Sequence, residues 1–292
     1  MVFARKRFGQ HFLHDARIID RIVEAIGPRP GDALVEIGPG HGALTAPLLA
    51  AVDHLDAIEI DRDLAAALRE RYTPQRLTLH GADALRFDFA ALAAARGQRL
   101  RVVGNLPYNI STPLLFHLLA TPAAIRDLHI MLQKEVIDRI CAAPGSDDYG
   151  RLTVMLAPWT RAEHLFDVGP GAFSPPPRVW SAVARLTMRE APAFPVDARY
   201  GRVVAAAFSQ RRKTLRNALR SLLEADAISA CGIDPGVRPE TLGPAQFAAL
   251  AACGLAPGAR AETLPPSAYA ALAQAVSVSA PVLSMPSPPD EP

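Results

Sequence analysis

Cysteine is scarce in this 292-residue chain: Cys141, Cys231 and Cys253 are the only three, far apart and without a Cys-x-x-Cys. That spacing argues against a disulfide framework or a zinc site and predicts small buried thiols in a reducing compartment. Histidine adds no metal pattern: His11 and His14 are the only short pair and have no cysteine nearby, so no metal is expected. No apolar stretch is long enough to span a bilayer, and no apolar segment follows the basic N-terminus. Both absences predict a soluble, cytoplasmic protein without a signal peptide. The charged fraction, 21%, is ordinary, which argues against disorder over most of the length, and an apolar content of 50% is enough for one large or two modest domains.

Net charge, +2, understates two basic segments. Arg5, Lys6 and Arg7 are interleaved with Phe8 and Phe12, and the run Ser209 to Arg220 holds five cations and no acid. Arg5, Lys6, Arg7, Arg211, Arg212, Lys213 and Arg216 are therefore candidate contacts to phosphates, against the alternative of a merely solvated helix face.

The most informative element is Asn105-Leu106-Pro107-Tyr108, directly after the apolar run Leu100 to Val103. Polar loops at the carboxyl ends of buried strands are where open α/β folds place their chemistry. The Asn105 side chain and the Leu106 carbonyl, stiffened by Pro107, both accept hydrogen bonds from an exocyclic amine. Tyr108 offers a ring on which the base carrying that amine can stack.

Upstream, Ala33 to Ile37 is an apolar run followed by Gly38-Pro39-Gly40-His41-Gly42 and a stretch of helical composition from Ala43 to Val52. Strand, glycine turn and helix let a ligand approach the backbone closely. The spacing Gly38-x-Gly40-x-x-Ala43, with Glu59 about 20 residues on, suits either a nicotinamide dinucleotide or S-adenosylmethionine. Glu36, an acid inside the first strand, favours the methyl donor. Glu59 suits two ribose hydroxyls, and Asp83 is placed to accept from an adenine amine or to cap the next helix. Asp61 is expected to cap the helix carrying Leu64 and Leu68.

The segments Arg5 to Leu13, Glu36 to Gly40, Gly104 to Ser111, Met131 to Val136, Tyr149 to Leu152 and Phe173 to Val179 occur in one order. Together they resemble the KsgA/RsmA family of small-subunit ribosomal RNA adenine dimethyltransferases, over about residues 5 to 270. The resemblance implies S-adenosylmethionine held by His11, Leu13, Gly38, Glu59, Asp83 and Asn105, joined by Glu36 and Gly40 from the glycine turn. The family usually has Asn where this chain has His11; the backbone there can still serve. Catalytic positions are Asn105, Leu106, Pro107, Tyr108 and Phe173, with Phe173 stacking on the second face of a flipped base. The implied substrate is the small ribosomal subunit and its RNA, met by a monomer.

Seven candidate strands, 33–37, 54–60, 76–80, 100–104, 127–133, 161–168 and 179–187, alternate early with helical stretches. An α/β, Rossmann-like class I methyltransferase is expected, with a seven-stranded mostly parallel sheet whose last strand inserts antiparallel. Pro192 and Pro195 mark a boundary: residues 1–190 form the catalytic domain, 191–276 a small helical domain contacting RNA or the ribosome, and 277–292 a disordered Pro/Ser-rich tail. Three rival readings compete: a macrolide-resistance dimethyltransferase acting on large-subunit RNA, a ribosome-assembly factor acting mainly by binding, and a nicotinamide oxidoreductase.

Overall fold

Residues 11–210 and 213–253 are described by a computed structural model. The chain divides into two units, Met1–Cys141 with Thr160–Glu190, and Ala142–Trp159 with Ala191–Pro292. The first contains β1 (Phe12–Leu13), α1 (Ala16–Ile26), β2 (Leu34–Ile37), α2 (Thr45–Ala51), β3 (Leu55–Ile58), α3 (Arg62–Arg71), β4 (Leu77–His80), α4 (Phe89–Arg96), β5 (Leu100–Asn105), α5 (Ser111–Leu119), β6 (Ile125–Gln133), α6 (Lys134–Cys141), β7 (Thr160–Val168), β8 (Phe173–Ser174) and β9 (Ser181–Met188).

All seven expected strands form, in the order β4-β3-β2-β5-β6-β9-β7. Neighbours from β4 to β6 are parallel, and β9 inserts antiparallel between β6 and β7. Buried on both faces, β2 and β5 read as near-continuous apolar runs rather than alternating ones. Local signals set the helix bounds. Asp15 accepts from the backbone N–H of Arg17 and Ile18 to start α1, and Gly27, at φ 55°, ends it. Asp61 caps α3 through Asp63 and Leu64, as expected.

Gly104 explains how closely β5 approaches β2. A Cβ there would stand 2.5 Å from the Ile37 carbonyl oxygen, so the two strands meet at this level only because the side chain is absent. A short antiparallel pair, Phe12↔Ser174 and Leu13↔Phe173, joins β1 to β8 across the chain. Its two-residue strands are too short to carry a periodic signal.

The second unit contains α7 (Arg151–Leu156), α8 (Tyr200–Phe208), α9 (Leu215–Leu219), α10 (Ala225–Ala230) and α11 (Pro244–Ala252). Phe208 packs on Phe247 with ring centroids 5.4 Å apart, and buried Tyr149 and Tyr200 each donate a 2.8 Å hydrogen bond, to the carbonyls of Leu242 and Val154. Tyrosine suits such positions because its ring is apolar while its hydroxyl still finds an acceptor. The segment Ala142–Trp159 belongs to this unit although it precedes the proline boundary in sequence.

One cysteine expectation is corrected. Cys231 and Cys253 form a disulfide, with Cα atoms 6.2 Å apart, because the ends of α10 and α11 come together across 22 residues. Cys141 is a free, part-buried thiol whose pKa is pushed up to about 11 by burial, with Asp138 and Glu163 adding repulsion. The tail 277–292 lies outside the described residues.

Candidate active site

Parallel strands deliver their carboxyl ends to one edge of the sheet. There β2, β3, β4 and β5, with the turns that follow them, surround a pocket lined by Glu36, Gly38, Gly40, Glu59, Asp83, Asn105, Leu106, Pro107 and Tyr108, closed on another side by His11 and Leu13. Eleven of the site residues expected from sequence thus meet in one cavity. Gly38 and Gly40 both have positive φ, 67° and 59°, and a Cβ on Gly40 would sit 3.1 Å from the Phe12 ring. Glycine at position 40 therefore satisfies both the turn and the close approach of Phe12.

Glu59 is held at both oxygens. Gly40 N–H donates to Oε2 at 3.2 Å and Asp61 N–H to Oε1 at 2.9 Å, and the Ile60 backbone adds a further donor, which fixes the carboxylate. Burial raises its pKa despite these donors. Asp83 uses Oδ1 to accept from Leu85 N–H at 2.9 Å, a local cap, while its residue still lines the pocket.

Glu36 is 2% exposed and accepts a 2.6 Å hydrogen bond from the Thr45 hydroxyl. Burial, reinforced by repulsion from Glu59 and only partly offset by Thr45, raises its pKa to about 7. The native state therefore prefers the protonated acid: stability tied to this group is complete below its unfolded pKa of 4.5 and is lost as pH rises through about 7. Glu36→Gln should consequently raise the unfolding free energy of the unliganded protein by about 2–3 kcal/mol at about pH 8 and by almost nothing near pH 4.5. Urea unfolding at the two pH values checks this; an equal gain at both would show that ionisation is not the cause.

Asn105 ends β5, and its Nδ2 donates to the backbone carbonyl of His11 at 2.9 Å, 94 residues away. With the amide nitrogen committed, Oδ1 is the acceptor left to the pocket. Leu106 N–H donates to the Met131 carbonyl at 3.1 Å, which pins the next peptide. Tyr108 is held at its hydroxyl by Ser181 Oγ, 2.7 Å away, and along one face by the His11 ring, 5.7 Å between centroids and 29° between planes. The His11 imidazole in turn bonds the Pro175 carbonyl through Nδ1 at 2.7 Å. Burial raises the Tyr108 pKa, so the phenol stays protonated at neutral pH.

Phe173 is the exception. It is 2% exposed, lies in the core with Leu13, Phe166, Val168 and Val183, and does not line the pocket. The expectation that its ring stacks on a base is corrected: pairing of β8 with β1 turns the ring inward, where apolar burial stabilises it. Among the basic candidates, Lys213 and Arg216 are exposed in the second unit; Arg5, Lys6, Arg7, Arg211 and Arg212 lie outside the described residues. Sequence reasoning missed Phe12, His41, Leu85 and Ile60, which also line the pocket. Ile60 had a signal, since it directly follows Glu59, and at 50% exposure it is an apolar surface left uncovered by the fold. Among the described residues no cluster of His, Cys, Asp and Glu is arranged to hold a metal.

A profile of the family described as ribosomal RNA adenine dimethylase matches residues 1–253. The chain belongs to that family. Among similar members of the ribosomal RNA adenine dimethylases, ribosomal RNA small subunit methyltransferase A of Alcanivorax borkumensis is 55% identical over 247 residues, covering 84% of this chain and 88% of its own length. The protein of the same name from Aromatoleum aromaticum is 57% identical over 248 residues, covering 84% and 92%. The 23S rRNA methyltransferase ErmE superimposes with a TM-score of 0.64 at 28% identity, covering 82% of this chain and 98% of that one. A dimethyladenosine transferase from Plasmodium falciparum shares the fold, with a TM-score of 0.71 at 24% identity over 82% of this chain and 96% of that one. Rossmann-like methyltransferase architecture, a seven-stranded sheet and enzymatic membership of the dimethylase family thus stand together.

Proposed function

We propose that this chain dimethylates the N6 amines of two adjacent adenosines near the 3′ end of small-subunit (16S) ribosomal RNA, using S-adenosylmethionine, late in subunit assembly. One observation carries the reading: the Asn105 amide is oriented by the His11 carbonyl so that Oδ1 is its acceptor toward the pocket, beside the peptide of Leu106 and Pro107.

The pocket fits the donor. Glu59 presents a fixed carboxylate to the ribose hydroxyls, Ile60 offers an apolar face and Asp83 a carboxylate for an adenine, and Gly38 and Gly40 admit a ligand against the backbone. His11, Leu13, Glu36 and Asn105 complete the wall. When bound, S-adenosylmethionine supplies an activated methyl on a positively charged sulfonium.

An adenine amine is a poor nucleophile because its lone pair is delocalised into the ring. Asn105 Oδ1 and the Leu106 carbonyl accept its two hydrogens, favour a pyramidal nitrogen and aim the lone pair at the methyl. Orientation of this kind contributes several kcal/mol, and acceptors matched to the positive charge developing on nitrogen add electrostatic stabilisation. Tyr108 stacks on the flipped base with the face opposite His11. The alkylated nitrogen is acidic and loses its proton to solvent, so no strong base is required. Lys213 and Arg216, with Arg5, Lys6, Arg7, Arg211 and Arg212, supply phosphate contacts that position RNA without reading sequence. The protein works in the cytoplasm as a monomer.

The test is methyl transfer from labelled donor to small subunits that lack this modification, mapped by primer extension, because dimethyladenosine blocks Watson–Crick pairing. Stops at adjacent adenosines near the 3′ end are the expected result. Transfer to large-subunit RNA instead would move the assignment to the resistance branch, and no transfer at all to a binding factor.

A further inference from the structure

Only three large hydrophobic side chains are exposed among the described residues: Ile60 in the pocket, and the adjacent pair Val179, 44% exposed, and Trp180, 54% exposed. The pair falls where a strand was expected to begin, yet β9 starts only at Ser181. A tryptophan left more than half in water needs a reason, because its ring carries one of the largest apolar areas a side chain can bury.

Trp180 is exposed but held. Its carbonyl accepts a 2.9 Å hydrogen bond from Lys134 N–H, and its six-membered ring lies over Gly169, where a Cβ would meet ring atoms at 3.7 Å. Gly169 thus leaves room for an indole to rest on the backbone. Ser181, the next residue, holds the Tyr108 hydroxyl and pairs with Gln133 at the carboxyl end of β6, while Asn105 pairs with Met131 of the same strand. Trp180 therefore stands at the catalytic rim of the sheet, two strands across from Asn105 and three residues further out along the strand direction. Arg178 beside it is exposed and forms no ion pair among the described residues, and Pro175 to Pro177 stiffen the approach.

We propose that Trp180, backed by Gly169 and flanked by Arg178, is a stacking platform for an unpaired nucleotide next to the target adenosine. The proposal rests on the functional reading above. It joins an aromatic plane to a free cation, the combination that binds single-stranded nucleic acid, since every base offers a π-face and every nucleotide a phosphate. Two apolar residues bounded by Arg178 are too small a patch for a stable protein interface, which takes roughly 20–30 residues a side.

Ultraviolet cross-linking to unmethylated small subunits, followed by nuclease digestion and mass spectrometry, should add a nucleotide to the peptide containing Trp180. Trp180→Ala should weaken subunit binding about 5- to 100-fold, with Trp180→Phe restoring most of it. Donor affinity and the single-turnover rate at saturating subunit should stay near wild type. Unchanged subunit affinity, or a cross-link from Trp180 to a ribosomal protein, overturns the platform. Wild-type methyl transfer to the same subunits is measured alongside: absence of transfer defeats the functional reading, whereas normal transfer with unchanged affinity of Trp180→Ala defeats this inference alone.

Discussion

Asn105→Ala should lower the rate of methyl transfer at saturating RNA by about 10²–10³-fold, the usual cost of deleting one pre-oriented polar partner of the developing charge. The variant should fold normally, because Asn105 is only part-buried and its one side-chain bond, to the His11 carbonyl, is a neutral one contributing about 1 kcal/mol. Donor affinity should move less than about tenfold, since the backbone at position 105 and the whole Glu59 wall remain. Single-turnover transfer from labelled donor and equilibrium dialysis of the donor separate the two effects. A rate within about threefold of wild type would remove Asn105 from the chemistry. A donor affinity that falls as far as the rate would make it a binding residue instead. Asn105→Asp is the sharper companion: its carboxylate retains acceptors but turns a charge toward the His11 carbonyl, so the orientation is lost and the rate should fall with it.

The acceptor at Asn105 depends on residues of two kinds, and the sequence disclosed only one. Asn105 to Tyr108, Glu59 and the glycines were legible because strand end, loop and chemistry lie within one short stretch of chain. The His11 carbonyl that orients Asn105 was not, for a backbone acceptor carries no residue-type signal and the partners are 94 residues apart. Phe173 failed for a related reason. A Phe-Ser-Pro-Pro-Pro segment can present its ring outward or bury it, and pairing with Leu13, far along the chain, decides for burial. The disulfide was hidden by the same gap, since wide spacing in sequence says nothing of how helix ends meet. The central strands β2 and β5 were readable as short, nearly continuous apolar runs, whereas β7, with Arg161, Glu163, His164 and Asp167 along it, shows only scattered apolar positions. Strand order was not readable, because order is set by how helices pack on both faces.

Arg101→Met should cost about 3–5 kcal/mol of stability at neutral pH, the penalty for stripping one partner from a buried ionic cluster. Arg101 is 6% exposed at the start of β5, and its guanidinium is fully used: Nε to Asp127 at 3.0 Å, Nη1 to Asp32 at 2.7 Å and Nη2 to the Ile26 carbonyl at 2.6 Å. Burial alone would raise the Asp127 pKa; His129, 3.3 Å away, and Arg101 outweigh it and hold the carboxyl below the ordinary value. Stability from Asp127 is therefore present above its unfolded pKa of 3.8 and is lost as pH falls through the lowered native one. Without Arg101 the buried carboxylate takes up a proton more readily, so the gap between variant and wild type should narrow toward about pH 4. Arg101→Met combined with Asp127→Asn should recover much of the loss, because Asp32 keeps Arg126 and the Arg29 N–H as partners. Urea unfolding of both variants across this pH range decides the matter. A single variant within about 1 kcal/mol of wild type, or a double variant no better than the single, would show the cluster to be incidental. Methyl transfer well below the melting temperature should be retained throughout, since Arg101 sits at the amino end of β5 and Asn105 at its carboxyl end.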